Sequence, residues 1–358
     1  MRSHPVTASA TSTPTATPER RSGLAHAAGT RTLGLLVALA VLALVVVASL
    51  AIGSRDIPLA VVRDVLLGGS GGSTEATVVL DLRLPRTVTG LTAGLALGLA
   101  GAIIQAVTRN PLADPGILGV TSGSAFAVAL AVGVVGATAP EQYVWFAFGG
   151  ALAATVIVYV IGSAGRGGGS PARLTLTGVA LGAVLGGITT AMVLADPTRF
   201  DVMRAWQSGS LADRGWDGLT TVLPFVLVGV VVALALARPL NAMAMGDDLA
   251  SSLGANLAVT RTLAVVAVTL LAGGATAIAG PIAFVGLMVP HVARWIVGPD
   301  QRWILAYTLV LAPVLLIAAD ILGRIVARPG EVPAGVVTAF LGAPVLIALV
   351  RRSKASGL

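Results

Sequence analysis

Long apolar runs follow one another along most of this chain, separated by short polar segments. About 20 apolar residues carry a helix across the hydrocarbon core of a bilayer. On that measure, spans are expected near 33–53, 84–107, 117–136, 141–163, 172–194, 219–237, 258–280, 282–297, 303–322 and 333–350. The eighth is short, and Pro290, His291 and Arg294 interrupt its second half. Residues 1–32, rich in Ser, Thr, Ala and Pro, are too polar to bury and read as a disordered basic tail. Arg20 and Arg21 ahead of an apolar run could belong to an export signal, but the run from Leu33 to Ile52 is long enough to span. The expectation is therefore a retained first helix, one transmembrane domain over 33–352, and a short tail at 353–358.

Composition agrees with that pattern and removes several function classes. The 358 residues are 56% hydrophobic and 11% charged, with a mean hydropathy of +0.92; soluble domains keep about 25% of their residues charged. The fold class expected is an all-α polytopic membrane protein with about ten transmembrane helices. Its 44 glycines suit helices packed backbone to backbone. Without cysteine there is no disulfide framework, thiolate metal site or cysteine nucleophile. His4, His26 and His291 are too few for a histidine-rich metal centre, and His291 reads as a hydrogen-bonded structural residue rather than a ligand. No catalytic group, cofactor site or metal site is expected.

The net charge of +7 could suit nucleic acid, yet the basic residues are scattered between apolar runs and form no contiguous patch. Their distribution instead sets topology. Lys and Arg are in excess on the inner side when the N-terminus is cytoplasmic, and ten spans return the terminal "RRSKASGL" to the same side. Both termini are therefore expected in the cytoplasm. No charge falls near the middle of a span, Asp320 coming nearest. Ion-coupled transporters usually bury ionisable groups there, although coupling through backbone carbonyls keeps a secondary transporter open as a rival reading. The single lysine, Lys354, lacks the glycine loop of a nucleotide site, so another chain must supply energy for active transport. A membrane-embedded enzyme would need a nucleophile or acid–base pair, and none converges here.

Three local patterns carry more. Gly94, Gly98 and Gly101 lie on one helical stripe with Gln105 a turn further on, a close-packing face ended by an amide. The segment "TRNPLADPGILGV" (108–120) is stiff: Asn110-Pro111 should end the second span, and Pro115 favours an extended approach to the third. The segment "RPLNAMAMGDDLASSLGANLAVTR" (238–261) is too polar to cross, yet Ala242, Met245, Leu249, Leu253 and Leu257 recur at helical spacing. Gly246 should break one short helix, Asp247 suits the positive end of a second, and Gly254 suits its termination.

In order and spacing, "LRLPR" (82–86), "RNPLADPGILGV" (109–120), "MGDDLASSLG" (245–254), "GPIAFVGLMVPHVAR" (280–294), "AD" (319–320) and "VPAGVVTAFLGAPVLI" (332–347) resemble the FecCD-type permeases. These are membrane subunits of bacterial ABC importers for iron–siderophores, haem and vitamin B12. The resemblance covers about residues 33–352 and implies the BtuC-like permease fold in the cytoplasmic membrane. It implies two ATP-binding cassette ATPase subunits, a second permease subunit (identical or related) and an extracytoplasmic substrate-binding protein as partners. The implied cargo is a ferric siderophore, with vitamin B12 or haem as the alternative.

The same resemblance assigns roles by position. Arg83, Arg86 and Arg324 would meet carboxylates of the binding protein. Gly246, Asp247, Asp248, Ala250, Leu253 and Gly254 would couple to the ATPase, although the family usually has Gly-Glu where this chain has Gly246-Asp247. Ser170, Pro171 and Ala172 in "GRGGGSPARLTLTG" would form the cytoplasmic gate, with Pro171 and Ala172 departing from the small hydroxylated pattern of vitamin B12 permeases. Gln105, Asn110 and Pro111 would help form the wall of the translocation path.

Overall fold

Helices that are apolar on every side, as most are here, belong in lipid or at the centre of a bundle. The computed structural model describes residues 28–53, 56–69, 73–164, 171–198, 200–212 and 214–355. Most of the 1–32 tail, the Arg20-Arg21 pair and Ser170 lie outside these residues.

The elements in order are α1 (Ala28–Ala51), α2 (Leu59–Leu66), α3 (Thr74–Thr77), a π-helical turn (Val78–Arg83), α4 (Leu84–Thr108) and α5 (Val120–Leu130). Then come α6 (Pro140–Ser163), α7 (Pro171–Ala195), α8 (Asp201–Gln207), α9 (Trp216–Ala235), α10 (Ala237–Met243) and α11 (Asp247–Ser252). The chain finishes with α12 (Leu257–Ala279), α13 (Val285–Val297), α14 (Gln301–Val326) and α15 (Ala334–Ala355). Among the described residues, seven helices are long and apolar enough to cross a membrane, and three shorter apolar ones correspond to the remaining apolar runs.

At the centre stands α4, buried on nearly every side, with α14, α12 and α13 around it. Its glycine stripe explains the arrangement. A Cβ on Gly94 would lie 2.7 Å from Pro313 Cα, and one on Gly98 would lie 2.5 Å from Ala312 Cβ. A Cβ on Gly101 would lie 1.8 Å from the Gly286 carbonyl oxygen. The stripe thus lets α14 and α13 touch the α4 backbone, as small residues do in lipid. Antiparallel to α4, α14 is also fastened to α1: Tyr307 donates from its hydroxyl to the Arg31 carbonyl at 2.6 Å. Against this centre, α1 and α7 leave most of their surface outward.

Three expectations change in detail. α1 starts at Ala28, so the helix takes in the last residues of the polar tail, where the Thr32 hydroxyl donates to the Ala28 carbonyl at 3.0 Å. The run at 282–297 becomes helical only at Val285, since Gly280 and Phe284 take positive φ (75° and 69°) and keep Pro281–Phe284 out of α12 and α13. Pro115 opens a 3-10 turn, Pro115–Leu118, rather than an extended approach. Asp114 caps that turn by accepting from Gly116 N at 2.8 Å.

Candidate functional site

The chemistry gathers at the two ends of the bundle. At one end, the π-helical turn delivers Arg83 and the first turn of α4 delivers Arg86, either side of Pro85. The two side chains diverge. Arg83 Nη1 donates to the carbonyls of Leu50 and Ala51, both at 2.7 Å. Arg324, from the last turns of α14, donates from Nη1 to the carbonyls of Ser49 (2.8 Å) and Ile52 (3.1 Å). A helix leaves its last carbonyls without partners, and cations favour that end; here two arginines from distant segments close α1. Arg86 instead forks onto Asp320, with Nη2 2.7 Å from Oδ1, while its Nη1 reaches Glu331 at 2.7 Å. Asp320 also pairs with Arg324.

The three arginines expected to serve as docking charges are therefore engaged within the chain: Arg83 and Arg324 are 6% and 2% exposed. They still line a cavity of about 760 Å3 that opens at this end, together with Arg214, Glu75 and Glu331. Arg214 is held by the Tyr143 hydroxyl at 2.8 Å and the Ser210 carbonyl at 3.2 Å.

At the other end, the segment 238–261 forms the two short helices its spacing suggests. Gly246 has φ 111° between α10 and α11, and Gly254 has φ 85° after α11. The apolar positions divide. Leu240, Met243 and Ala250 are buried against the bundle, whereas Met245, Leu249 and Leu253 are 55%, 47% and 62% exposed. Asp247 begins α11 and is gripped from two spans: Arg261 Nη2 lies 2.7 Å from Oδ2, and Arg109 Nη2 binds Oδ1. Burial alone would push this carboxyl up, but hydrogen bonds from Arg261 and Arg109, with their charge, hold it below the usual carboxylate range. Asp248 beside it is exposed. Asn241, on α10, accepts from Gln301 N and donates to Asp300, each at 2.8 Å, tying α10 to the start of α14.

Between these ends, Gln105 is not on an open wall. It is 2% exposed, donates to the Gly286 and Leu287 carbonyls at 3.2 and 3.1 Å, and accepts from Arg294 at 3.3 Å. It braces α4 against α13. Asn110 and Pro111 are exposed beyond the end of α4, which stops at Thr108 because Arg109 turns into the left-handed region, φ 50°. Ala172 is exposed in the first turn of α7. His291 packs edge-on against Trp295 with centroids 4.6 Å apart, and its buried Nδ1 has no hydrogen-bond partner among the described residues. Packing, not the expected hydrogen bond, holds that ring.

Comparison with known proteins identifies the architecture. The family model of the FecCD transport family matches residues 41–352. The chain belongs to the FecCD transport family. The ferric enterobactin transport system permease protein FepD of Escherichia coli (strain K12) is a FecCD relative 51% identical over 309 residues, 86% of this chain and 92% of that protein. The iron(3+)-hydroxamate import system permease protein FhuB of Bacillus subtilis (strain 168) is 39% identical over 323 residues, 89% of this chain and 83% of that one. A solved ABC transporter assigned to the metal-chelate type, in an inward-facing conformation, superposes with a TM-score of 0.77 at 27% identity, over 90% of this chain and 99% of that one. This FecCD chain is thus an all-helical, multi-pass membrane permease.

Sequence reasoning missed the partners of its own candidates. Arg109, Arg261 and Asn241 hold the 238–261 segment, and Glu331 reaches Arg86, yet the sequence patterns assign none of the four a role of its own. Arg109 carried one usable signal, its place inside "RNPLADPGILGV" facing a segment with two adjacent aspartates.

Proposed function

We propose that this chain is the membrane-spanning subunit of an ABC importer that moves a ferric siderophore inward, driven by ATP hydrolysis on partner subunits. The observation that carries this reading is the exposed apolar face of Met245, Leu249 and Leu253 on a short helix pair anchored to two spans. An exposed apolar face of that kind suits a docking surface. Here it is the coupling site for one of two ATPase subunits, with Gly246 to Gly254 as the contact. That face is cytoplasmic, both chain termini share it, and the arginine-lined cavity opens on the extracytoplasmic side.

Ferric siderophore cargo is supported by the FepD and FhuB relatives, and vitamin B12 or haem is the lesser alternative. A second permease, identical or related, completes the path. The gate stands at the start of α7 near Ser170, Pro171 and Ala172, and Asn110 and Pro111 belong to the cytoplasmic rim of the path. An extracytoplasmic binding protein docks over Arg83, Arg86 and Arg324. The cavity beside them supports this reading, with Arg86 as the arginine nearest the surface.

The test is uptake into proteoliposomes holding the complete complex, with ferric catecholates, ferric hydroxamates, haem and cobalamin offered in turn. ATP-dependent uptake of a ferric siderophore is expected. Uptake without ATPase subunits would indicate a secondary transporter, and uptake restricted to cobalamin or haem would move the cargo assignment.

A further inference from the structure

Arg109 is the last residue of the path from the centre of the bundle to the proposed coupling helices. It caps α4 in a left-handed conformation, which a side-chain-bearing residue seldom adopts. That turn aims its guanidinium across Gly246. Nε donates to the Met243 carbonyl, the end of α10, at 2.9 Å, and Nη2 binds the Asp247 carboxylate, the start of α11. One planar group thereby spans the break between the two short helices, and Arg261 holds the other oxygen of Asp247 from α12.

Behind Arg109 there is little slack. One turn back, Gln105 grips two carbonyls of α13, and a turn before that Gly101 lies against the Gly286 backbone. Close-packed contacts of this kind pass on displacement rather than absorb it. The ion pair itself is about 40% exposed on both sides, and pairs that wet contribute little to stability. Its geometry, more than its strength, is what a mechanism can use.

We infer that Arg109 is a positioning residue for transport: it transmits movement of the coupling helices into α4, so that without Arg109 ATP hydrolysis continues while far less cargo moves per ATP. The inference rests on the coupling reading above. It does not ask Arg109 to touch cargo or ATPase.

The experiment uses the full complex with its ATPase subunits and binding protein in proteoliposomes, reading cargo moved per ATP hydrolysed. Arg109→Asn removes the cation but keeps a residue that tolerates the left-handed turn. The ATPase should still co-purify and hydrolyse ATP, while cargo per ATP falls about tenfold, a size usual for coupling between linked sites. Arg109→Lys keeps the charge and should recover part of the loss, though it lacks the fork that reaches both partners. Wild-type cargo per ATP in Arg109→Asn would overturn the inference, as would loss of ATPase association, which would make Arg109 part of the docking surface. If Arg109→Asn does not accumulate, Arg109→Gly, which takes the left-handed turn without strain, is read in the same way. Leu253→Asp separates this from failure of the coupling reading. If Leu253→Asp still binds ATPase and transports, the coupling reading itself is wrong; if it fails beside a silent Arg109→Asn, only the transmission role is lost.

Discussion

Arg324 donates to the backbone carbonyl of Ser49 at 2.8 Å, so a side chain 275 residues further along the chain closes the first membrane helix. The same guanidinium pairs with Asp320, which is 1% exposed. Removing Arg324 leaves Asp320 with Arg86 as its remaining cation but takes the charged donor from the Ser49 and Ile52 carbonyls, and a hydrogen bond to a charged group contributes about 1.5–3 kcal/mol. Arg324→Ala should therefore lower the unfolding temperature of the detergent-purified protein clearly, and Arg324→Lys should recover only part. A melting curve unchanged by Arg324→Ala would mean the α1 end finds other donors.

The internal roles of Arg83 and Arg324 make their charge reversal a poor test of docking, since it would also uncap α1. Glu331 offers a cleaner one. It is 31% exposed and occupies Arg86 Nη1. Glu331→Gln removes a negative charge from the cavity mouth without touching the cap. If an acidic surface of the binding protein docks there, association should speed up by about two- to fivefold at low ionic strength, and the gain should vanish in high salt. Slower or unchanged association at low salt would count against docking over Arg86.

Two glycine substitutions should behave oppositely. A Cβ at Gly101 meets the Gly286 carbonyl, whereas one at Gly186 meets nothing within 4 Å. Gly101→Ala must push α13 away from α4 and is expected to cost at least about 1–3 kcal/mol, the usual range for overpacking. Gly186→Ala should leave thermal stability unchanged or slightly raised. Equal melting temperatures for the two variants would contradict the packing at the centre of the bundle.

Asp247 should not act as a pH sensor. Its carboxyl lies below the ordinary value of 3.8, so the favourable contribution of its pairing is fully present above that value. The contribution is lost only as pH falls through the lowered one. The ratio of uptake by Asp247→Asn to uptake by the unaltered chain should stay constant between about pH 5 and 8. A ratio that drifts across that range would show Asp247 titrating there.

Much of this was legible because it is local. The apolar runs mark the membrane helices, and the Gly246 and Gly254 breaks follow from short spacings within one segment. Gly94, Gly98 and Gly101 announce a contact face, though not which helix meets it. What stayed hidden depends on distant partners or on single backbone angles. Nothing near Arg83 says that its acceptors are the carbonyls of Leu50 and Ala51, because any residue type presents that acceptor. Arg109 and Phe284 take positive φ, where glycine is the usual signal, so the sequence reads straight past both turns. Gln105 looked like a polar group for a path because an amide advertises hydrogen bonding but not whether protein or solute receives it.

The closure of α1 has a consequence for the order in which the protein can be built. This helix is made before the rest of the described bundle, yet one of the two arginines that satisfy its final carbonyls is made 275 residues after the carbonyl it meets. Until then that end must keep borrowed partners, such as water or lipid headgroups. A nascent chain stopped before α14 would hold an inserted first helix whose end has Arg83 and the Ile57 backbone N–H as donors but lacks the one to Ser49. The membrane domain becomes one object late, when residue 324 arrives to meet residue 49.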